Sequence, residues 1–156
     1  MDRRRFIAAG LVLTPIAAAL SACGKKGGWP EGMAEIKWDR DTCTRCSMVI
    51  SDRRFAAEMR GGPQDTVFKF DDIGCAVAWL RDKATTHAWL GEAATRFWVA
   101  DSTSHGNETR WLEARAAHYL GKTSPMGYNF GAVAHPQAGT IDFQAMREHV
   151  LAKESR

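Results

Sequence analysis

The apolar run Phe6–Leu13, resumed after Thr14-Pro15 as Ile16–Leu20 and preceded by Arg3-Arg4-Arg5, sets how much of this chain is left to fold. A basic n-region followed by an h-region of this length reads as an export signal. It is too short, and too interrupted at Pro15, to span a bilayer stably. Arg3-Arg4-Arg5-Phe6-Ile7 also fits a twin-arginine pattern, two arginines, any residue, then two apolar ones. Asp2 stands where such signals usually carry Ser or Thr, and Sec-type n-regions are basic too, so both routes stay open. With residues 1–22 assigned to the signal, the rest of the 156 residues has room for one domain. The same arginines carry most of the formal charge of +3. No basic stretch with interleaved aromatics follows, so nucleic acid is not an expected partner.

The h-region ends in Leu20-Ser21-Ala22-Cys23, which resembles the lipobox of bacterial lipoproteins: an aliphatic residue, two small ones, then the cysteine. The small residues let a peptidase close on the backbone, and the Cys23 thiol takes a diacylglyceryl thioether before cleavage. Further acylation of the new amino terminus, with a chain such as palmitate, gives an anchor far stronger than one acyl chain alone. An ordinary secretory signal followed by a chance cysteine is the alternative. Gly24-Lys25-Lys26-Gly27-Gly28 is a flexible polar stretch. Residues 23–36 are accordingly read as a lipid-anchored tether and 37–156 as the folded domain. The expected location is periplasm-facing and membrane-anchored, in the inner or the outer membrane.

With Cys23 assigned to lipid, Cys43, Cys46 and Cys75 remain, and an odd number argues against a simple disulfide framework. Free thiols in an oxidising compartment are a liability unless something soft occupies them. Metal or redox work is therefore expected.

Coarse periodicity predicts an α+β fold. Phe55–Met59 and Thr66–Phe70 make a hairpin across Gly61-Gly62-Pro63-Gln64-Asp65. Asp71-Asp72 caps a helix from Ile73 to about Asp82, with Ile73, Val77 and Leu80 on one face. Thr95–Ala100 is a strand, and Trp111–Leu120 fits helix and strand equally. Gly127–Ala134 is extended, His135–Gly139 turns, and a closing helix over about 142–153 sets Phe143, Met146 and Val150 inward. The order points to two similar sheet-plus-helix units, each ββαβ-like.

Thr42-Cys43-Thr44-Arg45-Cys46-Ser47-Met48 puts two thiols and a thioether within six residues. Polarizable sulfur prefers soft closed-shell cations, Cu(I) above all in an extracytoplasmic space. On an extended segment Cys46 and Met48 would share one side, because side-chain direction repeats every second residue. Met126 lies between Pro125 and Gly127, where a purely packing methionine has little reason to be. Met33, Met59 and Met146 read as tether, strand and core. His118 is the best histidine candidate for an extra ligand; His87, His105, His135 and His149 read as surface. Asp71 and Asp72 are most simply helix caps.

Taken in order, Cys46-Ser47-Met48, the strand–Asp71-Asp72–helix unit, Trp111-Leu112-Glu113-Ala114 with Ala117-His118-Tyr119, and Pro125-Met126-Gly127 ahead of Phe130 resemble the NosL family, copper-carrying lipoproteins that serve maturation of nitrous-oxide reductase. The similarity covers roughly residues 38–134. It implies a fold of two small sheet-plus-helix units, distantly like organomercurial lyase. It also implies a Cu(I) site on Cys46 and Met126, with Met48 a third ligand, and a recipient cuproenzyme as partner. Ser47 stands where the family usually has glycine, and Cys43 and Cys75 are additions. Cys43 is read as an auxiliary metal ligand and Cys75, like His118, as a less favoured one. Two rivals stay open: a thiol–disulfide protein cycling Cys43–Cys46, and a zinc-stabilised interaction module using the three thiols and a histidine. No nucleophile–base–orienter set appears, so an enzyme is not expected.

Overall fold

The structure, a computed structural model, describes residues 28–155. The export signal, Cys23 and Lys25-Lys26 lie outside the described residues.

Strands β1 (Ala57–Gly61) and β2 (Thr66–Phe70) pair antiparallel, with Ala57 opposite Phe70 and Gly61 opposite Thr66. Their turn depends on Gly62, which sits at φ 75° and would bring a Cβ within 2.7 Å of the Trp89 indole. Only glycine meets both demands. Asp72 then caps helix α1 (Ile73–Lys83), accepting from the Gly74 N–H at 2.8 Å. The chain returns through β3 (Arg96–Ala100) and β4 (Trp111–Glu113), giving an antiparallel sheet of order β2-β1-β3-β4.

A smaller unit follows. Strands β5 (His118–Gly121) and β6 (Phe130–Val133) form a second antiparallel pair, and helix α2 (Phe143–Glu154) closes the chain, capped by Asp142. The α+β class read from the sequence is present. The second unit repeats the strand–strand–helix start of the first with no strand after it. The stretch 111–120, which fitted helix and strand alike, resolves into β4, a turn and β5.

Alternation along the strands decides which residues meet the helices. Ala57, Met59, Phe97 and Val99 face inward and join Ile73, Ala76 and Val77 of α1. Phe143, Met146 and Val150 of α2, with Tyr119 and Ala132 from the second sheet, belong to the same cluster. Phe143 meets Phe97 edge-on, with ring centroids 5.9 Å apart. A main-chain bridge, Asp101–Ala132, ties the two units together, and Tyr119–Ile141 braces the second unit internally. Each large side chain in this shared core contributes about 1.5–3 kcal/mol by leaving water. The two units therefore make one domain.

The outer face of the larger sheet carries a second cluster: Met33, Ile36, Ile50, Ala56 and Trp98, with Trp29, Trp38 and Trp111 half-buried at its margin. This corrects the tether. Pro30-Glu31-Gly32 turns the chain, the Met33 N–H donating to the Pro30 carbonyl at 3.1 Å, and returns Met33 and Ile36 to the sheet. The Ala34 N–H then donates to Glu58 Oε1 at 2.8 Å. From Trp29 onward the stretch is folded. Among the described residues no helix is long and apolar enough to cross a membrane.

Candidate metal centre

The segment around Cys43 and Cys46 is a tight turn. Thr42 and Val49 bridge antiparallel, the Cys43 N–H donates to the Met48 carbonyl at 2.8 Å, and the Ser47 N–H donates to the Cys43 carbonyl at 3.0 Å. Ser47 sits at φ 63°, the left-handed region that favours glycine. The expected extended run from Cys46 to Met48 is thereby overturned, and with it the argument that period-two alternation puts both sulfurs on one side. Met48 is 56% exposed, whereas Cys46 packs against the main core.

Three attachments fix this turn. The Thr44 N–H donates to the Lys69 carbonyl at 2.8 Å, holding the turn to the edge strand β2. Arg45 donates to Tyr128 Oη at 2.7 Å and to Glu154, which places the turn against the end of α2. The Tyr128 ring lies over Gly74, where any Cβ would come within 2.0 Å of it. A side chain at Gly74 would thus push apart the first turn of α1 and the Tyr128 brace.

At the junction of β2 and α1 the turn meets Asp71 and Cys75. The Cys43, Cys46 and Cys75 sulfurs and an Asp71 oxygen all lie within 4.8 Å of one another. Cys43 and Cys75 are buried, Cys46 is half-buried, and all three thiols are free. The Cys46 thiol donates to Asp71 Oδ1 at 3.5 Å. Four ligands on one tetrahedral ion stand about 3.8 Å apart when metal–sulfur bonds are near 2.3 Å. Closure by about 1 Å at the widest separation would let the four atoms share an ion.

Adjacent acids take different jobs here. Both were expected to cap the helix, but only Asp72 does. It also accepts from the Ser124 hydroxyl at 2.6 Å and from the Met126 N–H at 3.1 Å, so the cap ties down the loop that carries Met126. Asp71, 4% exposed, faces the thiols instead. Burial pushes its carboxyl up to about 6, aided by the charge on Cys43. The Cys43 thiol is held well below the ordinary range, chiefly because the Cys75 thiol donates to it, and the Cys46 and Asp71 N–H groups add to the effect. Cys75 is pushed up by that same interaction and by burial. Cys46 is raised by burial first. Of the three thiols, Cys43 is thus the first to give up its proton, while Cys46 and Cys75 keep theirs.

Cys75, less favoured from sequence, stands inside the cluster, and Asp71, read as a cap, brings the one oxygen to it. The Met126 side chain is 37% exposed on the loop anchored to Asp72. His118 lies on β5 opposite Val133 and is not among the four clustered residues. The signal for Asp71 was its place at a strand end, next to a residue already committed to capping.

Fold and cluster together define a small α+β domain with a buried, thiol-rich site able to hold a metal ion. The chain is similar to the crystal structure of the copper chaperone NosL from Shewanella denitrificans, with a TM-score of 0.52 and 20% identity over 76% of this chain and 88% of that one. At that identity the likeness shows the fold. No family model matches the chain, and no curated protein matches it either.

Proposed function

We propose that this protein is a Cu(I) carrier: a lipid-anchored, periplasm-facing metallochaperone that takes the ion on Cys43, Cys46 and Cys75 and gives it up to an extracytoplasmic cuproenzyme. The observation that supports this most is the approach of three free thiols to within 4.8 Å at the rim of the core. Cu(I) is soft and prefers thiolate to the nitrogen and oxygen donors around it. With Cys43 already favouring the thiolate, loading displaces protons from Cys46 and Cys75 as they take the metal. Asp71, in contact with Cys46, is placed to accept a displaced proton.

The exposed thioethers of Met48 and Met126 suit the next step. Neutral sulfur binds Cu(I) without a proton to lose, so it offers the ion a weaker stop on its way out. The NosL-like fold and the motif resemblance favour nitrous-oxide reductase as recipient, and no catalytic step is assigned to the chain.

A zinc site is the second reading, since three thiols and one carboxylate also satisfy tetrahedral Zn(II). Anaerobic competition titration of the reduced protein separates the two. A carrier binds one Cu(I) tightly, loses affinity in Cys46→Ser and Cys75→Ser, and keeps its fold when the ion is chelated. Met126→Leu slows release to an acceptor. Preference for zinc with unfolding on chelation would establish the module instead. A defined Cys43–Cys46 disulfide potential with no dependence on metal would establish a redox protein.

A further inference from the structure

The thiol cluster has a counterpart at the opposite edge of the same sheet. Antiparallel pairing puts Phe70, Ala57, Ala100 and Trp111 at one end of the sheet, since Ala57 lies opposite Phe70 and Val99, and Ala100 opposite Trp111. The metal cluster adjoins that end at β2. At β4 the same end opens into a cleft of about 1050 Å³ lined by Gly28, Trp29, Trp38 and Trp111 together with Arg53 and Arg110. The three indoles pack on one another with centroids 5.3, 6.1 and 6.4 Å apart. The Arg53 guanidinium lies 4.7 Å over the Trp38 ring. None of these residues takes part in the metal site.

We infer that this cleft is the surface by which the domain rests on a bilayer, its occupant being the zwitterionic phospholipid headgroups around the anchor. The inference rests on lipidation of Cys23. Four residues, Gly24 to Gly27, separate that cysteine from Gly28 in the cleft wall. Five residue steps span at most about 18 Å even when fully extended. The Gly28 side of the cleft can therefore never be farther than that from the lipid-bearing residue. Half-buried tryptophans suit this depth, because the indole body is apolar and its N–H is polar, which is why such residues collect at membrane interfaces.

Charge selects the headgroup. Arg53 offers donors to a phosphate, as does Arg110, which is 64% exposed and pairs with Asp101 at 3.3 Å through one face only of its guanidinium fork. Glu35 and Glu108 in the same wall offer carboxylates to an ammonium, and the indoles offer cation–π faces. A wall of both signs matches a phosphate and an amine in one headgroup. A purely anionic lipid would match only half of it. Docked in this way, the protein would hold the end of its sheet, metal cluster included, toward the membrane surface.

The test uses the full acylated chain in vesicles of phosphatidylethanolamine and phosphatidylcholine whose acyl chains are brominated just below the headgroups. Bromine should quench a substantial share of the tryptophan emission. Trp29→Leu with Trp38→Leu and Trp111→Leu should remove most of the quenchable part. The double variant Arg53→Glu, Arg110→Glu, which keeps all six tryptophans, should lower quenching by roughly twofold or more with the fold intact. Emission unaffected by bromine in protein that sediments with the vesicles would overturn the docking and leave the anchor standing. Emission that follows protein concentration and ignores lipid would mark a contact between copies and overturn it too. A chain with no acyl mass at Cys23 that stays in the supernatant would overturn both the anchor and the docking.

Discussion

On the inner face of the four-stranded sheet, Ala57, Met59, Phe97 and Val99 are apolar, and polar chemistry is displaced to the end, where Asp71 meets three thiols. On the outer face, Glu58 sits mid-strand, fully buried beside Met33 and Ile36, with Oε1 bound to the Ala34 N–H and Oε2 buried without a partner. Both faces bury acid, but to different effect. At the rim, Asp71 shares protons with neighbours and lies within reach of an incoming ion. In mid-sheet, Glu58 has one backbone donor, and burial pushes its carboxyl up to about 7. An acid at the rim can work; one beneath a layer of packed chain is only held protonated to a higher pH.

The largest effect that could break this contrast is on the inner face. Phe97→Ala should cost about 3–5 kcal/mol, with both units unfolding in one urea transition. Two separated transitions would mean that the units have separate cores. Next in size, Cys43→Ser should weaken Cu(I) affinity by about 100-fold, roughly 3 kcal/mol, in chelator competition, because it removes the sulfur that carries the charge. An unchanged affinity would move the site elsewhere.

Glu58 sharpens the outer side of the comparison. Its folded-state carboxyl lies above the ordinary range, so the folded protein holds a proton that the unfolded chain gives up sooner. Stability is then greatest in acid, falls as pH rises from about 4.5 to about 7, and levels off above. Glu58→Gln should flatten that fall and stabilise the protein by up to about 3 kcal/mol at pH 8. An equal change of stability between pH 5 and pH 8 in both proteins, read from urea melts, would contradict it. The smallest effect is Ser47→Gly, which should stabilise by about 1 kcal/mol by relieving a left-handed serine. A loss of stability would mean that the turn does not need φ above zero.

Much of the fold was legible because its punctuation is chemical. Gly61-Gly62-Pro63 marks the hairpin, Asp72 opens α1, and Asp142 opens α2, each at a residue whose local bonding favours the break. The tether was misjudged because Met33 and Ile36 are isolated apolar residues among Glu31, Gly32, Ala34 and Glu35, and no periodicity marks them. Their burial is decided by Glu58 and Trp98, more than twenty residues away. For the site, the Cys43–Cys46 spacing was visible but its geometry was not. Serine carries no signal for a positive φ, so Cys46–Met48 read as extended when the chain turns there. Likewise Asp71 and Asp72 are indistinguishable as cap formers in sequence. Only the helix axis decides which one turns toward Gly74 and which toward Cys46.

The most direct measurement is copper K-edge X-ray absorption on the reduced protein loaded with one equivalent of Cu(I). Donation by the clustered thiols predicts a sulfur-only first shell of three scatterers, falling by one in Cys75→Ser and unchanged in Met48→Leu. A shell that ignores Cys75→Ser, or one that loses sulfur when Met48 is replaced, would place the ion outside the cluster at the β2–α1 junction.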